Sequence, residues 1–212
     1  ELKENLAQGW NTWNTRSVVS HVLLPESFAI DLQFKDHQTG EVLKESLIGR
    51  GDYGMNEHVI PGSHAYDGSY TELELKWKDI HVKVQSATDS EDLLLLVTPV
   101  KAVHGDSMYI LPAMLWGREG EVTIENGGVS VKTPVRNIEL FVEAQNIKES
   151  SGMLRVSLSH PVAISSGSEM TMETVQSKIL SAKTAFEKQK EKYGKTPELY
   201  NAMQTVLAWD LI

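Results

Sequence analysis

A mainly β chain, built from antiparallel strands and followed by C-terminal helices, is the fold class the sequence predicts, and three observations predict it. Short runs with period-2 alternation, parted by turn residues, recur from Ser27 to about His160. One run, Leu93 to Val97, is apolar without a break. After Ser165-Ser166-Gly167-Ser168 the apolar residues change from strand spacing to helical spacing.

The elements follow in order. Phe28, Ile30, Leu32 and Phe34 share one face of a strand, and Asp36-His37-Gln38-Thr39-Gly40 turns the chain into a second run from Glu41 to Ile48. From His58 to Tyr70 we expect a glycine-punctuated loop, either a binding loop or a structured cover. Tyr70 to Trp77 alternates, Lys78-Asp79 turns, and Ile80 to Val84 alternates again, which gives a hairpin with one wet and one buried face. Leu93 to Val100 lacks alternation and so belongs in the middle of a sheet covered on both sides. Asp89, Glu91 and Asp92 before it read as a solvent-facing turn. Further strands are expected at Ser107 to Leu115, Glu121 to Ile124, Val129 to Lys132, Ile138 to Ala144 and Met153 to Ser159, with Asn126-Gly127-Gly128 as a turn.

Met172, Val175, Ile179, Ala182, Phe186 and Tyr193 then recur at helical spacing, and Gly194 suits the left-handed residue after a helix end. Thr196-Pro197-Glu198 opens a second helix with an N-cap, a first-turn proline and a carboxylate at the positive dipole end. Its stripe of Leu199, Met203, Val206 and Leu207 runs into Trp209, Leu211 and Ile212 with no cap, so either these residues dock back onto the β domain or, as we expect, further chain follows.

Composition narrows the function. With 212 residues the chain fits one generous β domain, or one domain with a helical appendage. A net charge of −9 argues against a surface for phosphate backbones, so no nucleic-acid partner is expected and a neutral partner such as a sugar fits better. The absence of cysteine removes disulfides and thiolate chemistry. The apolar runs fall well short of the roughly 20 residues of a membrane span. The residues themselves leave the compartment open.

Trp10 and Trp13 stand three apart amid Asn11, Thr12, Asn14, Thr15 and Arg16. Aromatic faces stack on sugar rings while Asn and Arg bond hydroxyls, but the same tryptophans also suit a plug at the end of a sandwich. His58, His64 and Asp67 match no zinc pattern, and no metal or cofactor is expected. Glu72 and Glu74 share a strand face with Lys76 and read more simply as a solvated face than as the carboxylate pair of glycoside hydrolysis. Phosphate loops, nucleophile elbows and HExxH are absent.

Four stretches together resemble bacterial glycoside hydrolases related to family 63, a group of α-glucosidase-like enzymes in which some relatives bear only an isomerase label. They are Gly9 to Val18, His21 to Pro25, Tyr66 to Glu72 and Tyr200 to Trp209. The resemblance implies a β-supersandwich over 1–167, a linker helix over 168–194, and at 195–212 the start of a truncated (α/α)6 catalytic barrel. It also implies that the catalytic acid and base of an inverting reaction lie beyond Ile212, so no residue here is assigned as catalytic. The domain's own part would be to stabilise the barrel and shape the pocket for an α-glucoside or related oligosaccharide. Trp10, Trp13, Arg16, Tyr66 and Asp67 are its candidate substrate contacts, and a periplasmic or secreted address is implied. Two other classes stand beside this reading. One is a free-standing carbohydrate-binding module. The other is a small sugar isomerase or epimerase, which requires His81, His58 or His64 to converge with Glu72 or Glu74.

Overall fold

The computed structural model describes residues 21–24, 28–43, 58–64, 69–88, 92–101, 105–114, 120–132, 134, 137–150, 152–166 and 168–193. Two antiparallel sheets and one C-terminal helix account for nearly all of them. The smaller sheet runs β1 (His21–Leu24), β2 (Phe28–Lys35), β8 (Ser107–Met114), β13 (Met153–Ser157), β12 (Lys148–Ser150). A short β3 (Val42–Leu43) pairs with the far end of β2, on the edge that β1 also uses. The larger sheet has eight strands in the order β4 (Val59–His64), β5 (Tyr70–Trp77), β6 (Ile80–Thr88), β7 (Leu93–Pro99), β14 (Val162–Ser166), β11 (Asn137–Glu143), β10 (Gly128–Lys132), β9 (Glu121–Glu125).

Strand alternation decides which side chains meet between the sheets. Leu32, Phe34, Met108, Ile110, Leu154 and Val156 point inward from the smaller sheet. Leu73, Leu75, Val82, Val84, Leu95, Val97, Val129, Val131, Leu140, Val162 and Ile164 meet them from the larger one. The residues between these point to the opposite side of the larger sheet. There Tyr70, Ala87, Leu94, Leu96 and Ala163 form a second cluster with Val175, Ile179 and Phe186 of α1 (Met172–Tyr193). The order of layers is therefore sheet, sheet, helix.

That order explains Leu93 to Val97. β7 is fourth of eight strands, its odd residues facing the other sheet and its even residues facing α1, and all five side chains are buried. Leu93 to Val100 is expected to be covered on both faces, and Leu93 to Val97 is, whereas Val100, beyond the strand end, is 51% exposed. α1 starts where the helical spacing starts, and the Thr171 hydroxyl caps it by accepting the Thr174 N–H at 3.3 Å.

Several elements depart from the sequence reading. His58 to His64 is not loop: Val59–His64 forms the edge strand β4, paired with β5 and broken by a bulge between Pro61 and His64. Pro61 and Gly62 read as turn residues, yet an edge strand tolerates a proline because one side of its ladder is unpaired. β14 went unread, because Val162 to Ser166 is short and runs into serines, although it fills the place beside β7. Asp92 is buried at 7% exposure rather than solvent-facing. Its carboxylate accepts from Ser168 Oγ at 3.1 Å and from Lys178 Nζ at 3.0 Å, which ties the start of β7 to α1. The second expected helix lies outside the described residues.

Leu95→Ala removes a side chain enclosed between the two sheets, and we expect it to lower stability by about 2–5 kcal/mol. Urea unfolding followed by circular dichroism, with an unchanged m-value, checks this.

Candidate functional site

Trp10, Trp13, Arg16, Tyr66 and Asp67 all lie outside the described residues. The described residues hold three polar assemblies, each placed by strand register.

The first lies on the outer face of the larger sheet. Cross-strand partners form a row Gly128, Phe141, Ser165, Leu94, Ala87, Tyr70, each beside the next. The helix covers the row from Leu94 to Tyr70. Past Ser165 the cover ends, and a groove of about 590 Å³ opens around the half-buried Phe141. Glu125, Glu139 and Glu143 line it from the strands, Ser130 adds a hydroxyl, and Glu169 stands at the α1 end. A Cβ at Gly128 would lie 3.0 Å from the Leu140 carbonyl oxygen, so the bare position next to the Phe141 backbone is enforced by close packing. The groove joins one apolar ring to several hydrogen-bond acceptors, the mixture that recognises a polyhydroxylated ligand. Sequence reading missed it because Phe141 sits in a strand whose neighbours look like ordinary alternation.

The second assembly is the seam between β5, β6 and α1. Glu72 Oε2 accepts from the Tyr70 hydroxyl at 2.8 Å, Gln85 Nε2 at 2.9 Å and Lys183 Nζ at 2.9 Å. Gln85 Nε2 also donates to the Tyr70 oxygen at 3.0 Å. Glu72 is therefore not a solvated strand residue, and at 18% exposure it anchors the helix to the sheet. Burial pushes its pKa up, but the Lys183 and Tyr70 hydrogen bonds and the charges of Lys183 and Lys83 outweigh that and hold it below the usual carboxylate range. Burial pushes the Tyr70 phenol well above its ordinary value, and the bond to Glu72 adds to this while Gln85 opposes it. One strand step away, His81 Nε2 lies 2.7 Å from Glu74 Oε2 on the open part of the face. The bond to His81 lowers the pKa of Glu74, with burial opposing.

The third assembly closes one end of the sandwich. Lys35 and Ser107 are partners in the β2–β8 ladder, so Asp36 and Asp106, the next residues out, meet beyond its end. Both are 2% exposed. The His37 backbone N–H donates to Asp106 Oδ1 at 3.0 Å, and its ring Nδ1 lies 2.7 Å from the same oxygen. Asp106 Oδ2 is buried without a hydrogen-bond partner. Asp36 Oδ2 accepts the Thr39 hydroxyl at 2.6 Å and the Thr39 N–H at 2.7 Å. Those bonds hold the Asp36 carboxyl below its ordinary pKa, helped by Lys78 and His37 and opposed by burial. Asp36, His37 and Asp106 each offer one metal-ligating atom, all within 4.8 Å of one another. Because 69 residues separate His37 from Asp106, no local spacing announces the cluster.

No protein-family model matches the chain, and a search of curated proteins finds no relative.

Glu72→Gln keeps the shape but removes the charge that Lys183 meets, and we expect a loss of about 1–3 kcal/mol near neutral pH. Since folding lowers the pKa of Glu72, its stabilisation is complete above the unfolded value of about 4.3 and fades as pH falls through the folded one. Melting temperatures of both proteins from neutral to acid pH should therefore stay apart down to the unfolded carboxyl value and converge only as pH falls below it. A gap that stays constant would assign the loss to shape rather than charge.

Proposed function

We propose that the chain is a non-catalytic β-sandwich domain of a carbohydrate-cleaving enzyme and that its own contact with sugar is the groove around Phe141. The single observation that carries this is the row across the outer sheet face, where the helix cover stops and a half-buried aromatic ring stands among carboxylates and a hydroxyl. The resemblance to family 63 glycoside hydrolases supplies the ligand class, an α-glucoside or related oligosaccharide. In this reading hydrolysis is done by a helical barrel of the same polypeptide, and the sandwich supports the barrel and holds a stretch of glycan. The contacts expected from Trp10, Trp13, Arg16, Tyr66 and Asp67, and an exported address, belong to the same proposal.

A second reading has one observation in its favour. His81 and Glu74 converge at 2.7 Å, as a sugar isomerase or epimerase working by proton transfer would require. The pair lies on an open strand surface with Lys76 Nζ 3.8 Å from the same carboxylate, so Glu74 already has a second charge partner. Sugar-dependent deuterium uptake from solvent, lost in His81→Ala, would favour this reading over the first.

The leading proposal is checked by titrating the chain with maltotriose and with isomaltotriose and following amide chemical shifts. We expect the shifts to cluster on β9, β10 and β11, and Phe141→Ala to weaken binding about fivefold, the equivalent of about 1 kcal/mol of ring contact. Shifts confined to the face bearing Glu74 and His81, or no binding at millimolar sugar, would remove the groove from the proposal.

A further inference from the structure

Among the described residues, the end of the sandwich gathers the carboxyl groups of Asp36, Glu41 and Asp106 around Lys78 and His37. Asp36 and Asp106 lie one residue beyond the Lys35–Ser107 end of the β2–β8 ladder, both almost fully buried, with carboxylate oxygens within 4.8 Å of each other. Like charges this close repel when both are ionised, and burial amplifies the repulsion. Lys78 Nζ lies 3.9 Å from Asp36 Oδ2, but its ammonium also pairs with Glu41 and donates to Thr39 Oγ1. One lysine is thus shared between two carboxylates, while Asp106 meets only His37. Asp106 Oδ1 serves His37 twice, and Oδ2 is buried with no donor. A buried carboxylate oxygen without a partner is costly unless something positive reaches it.

The local backbone is shaped to bring a ring nitrogen to this place. Gly105 has a φ of +106°, where side chains are strained, and a Cβ there would lie 2.8 Å from His37 Cγ. Only glycine lets the His37 ring lie against the strand that supplies Asp106. The hydrogen bonds to Asp106 Oδ1 then hold the ring while its edge remains accessible, the side chain being 35% exposed.

We propose that Asp36, His37 and Asp106 bind one divalent transition cation of the zinc class, with one carboxylate oxygen of each aspartate and a deprotonated His37 Nδ1, which then gives up its hydrogen bond to Asp106 Oδ1, as protein ligands and water completing the shell. The imidazole selects against Ca²⁺ and Mg²⁺, which favour oxygen ligands alone. The cation supplies the missing positive charge at the buried oxygen. It also cross-links the turn after β2 to the start of β8, beside the place where that turn meets the β5–β6 hairpin through Lys78 and through Gln38 and Asp79. Its role is structural, and it stands apart from the groove around Phe141.

The test is calorimetric titration of the tag-free, chelator-stripped chain with Zn²⁺ and separately with Ca²⁺ at neutral pH, beside His37→Ala, Asp106→Asn and His160→Ala. His160 is exposed and outside the cluster, so its variant controls for adventitious histidine binding. We expect one Zn²⁺ site, weakened at least about tenfold by His37→Ala and by Asp106→Asn and unchanged by His160→Ala. Zn²⁺ should raise the Tm of the unsubstituted chain, as any ligand selective for the folded state does, and should not raise that of His37→Ala. Asp106→Asn disturbs a buried position, so the half-exposed His37 carries the decision. No Zn²⁺ uptake by the unsubstituted chain, affinity that survives His37→Ala, or tighter binding of Ca²⁺ than Zn²⁺ would each overturn the proposal.

Discussion

The structure depends on burying the β7–β14 pair from both sides. An antiparallel sheet ordinarily keeps one face for water, and its strands then alternate. Here the middle of the larger sheet has no wet face: Leu95, Val97, Val162 and Ile164 meet the smaller sheet, and Leu94, Leu96 and Ala163 meet α1. A sheet apolar on both sides would expose Leu94 and Leu96 if the helix left. The helix is thus a structural layer of the domain, and the bonds that seat it gain their weight from the apolar surface they keep covered.

The seating bonds follow from the same geometry. α1 reaches the sheet at two places where apolar cover gives way to polar residues, Asp92 at one strand start and Glu72 on the flanking hairpin. Lys178 and Lys183, five residues apart on the helix, meet these two carboxylates. Two cations on one helix, one matched to the buried Asp92 just before β7 and the other to the partly buried Glu72 on β5, fix both the position and the rotation of the helix. Hydrophobic contact alone, being non-directional, fixes neither so tightly.

Several strands with one wet face are legible in the sequence as alternation. The β5–β6 hairpin alternates cleanly because Glu74, Lys76, His81 and Lys83 remain on an uncovered stretch of sheet. The unbroken run at β7 was legible for the opposite reason. What stayed hidden was whatever depended on a distant partner. Val162 to Ser166 makes sense as a central strand only beside β7, and Asp92 and Glu72 look like surface acids until the helix brings its lysines. Pro61 and Gly62 signal a turn, whereas the edge position of β4 accommodates them in a strand. The cluster of Asp36, His37 and Asp106 joins two ladder ends that lie far apart in the chain. The groove at Phe141 is set by where a helix stops covering a sheet, which no periodicity encodes. The residues that the sequence favoured as sugar contacts, Trp10, Trp13, Arg16, Tyr66 and Asp67, lie outside the described part of the fold.

Layering also constrains where a ligand can be held. The inner face of the larger sheet is spent on the core, and α1 occupies the outer face over β5, β6, β7 and β14. Among the described residues of the larger sheet, the outward-facing parts include the β9–β10–β11 end and the polar stretch of the β5–β6 hairpin. Of these two, only the former places an aromatic side chain between small neighbours, with Gly128 on one side and Ser165 on the other in the same row. A Cβ at position 128 would lie 3.0 Å from the Leu140 carbonyl oxygen, so a larger residue on that side of Phe141 asks the neighbouring strand to give by a few tenths of an ångström. A half-buried ring retains its solvation cost until something apolar covers it.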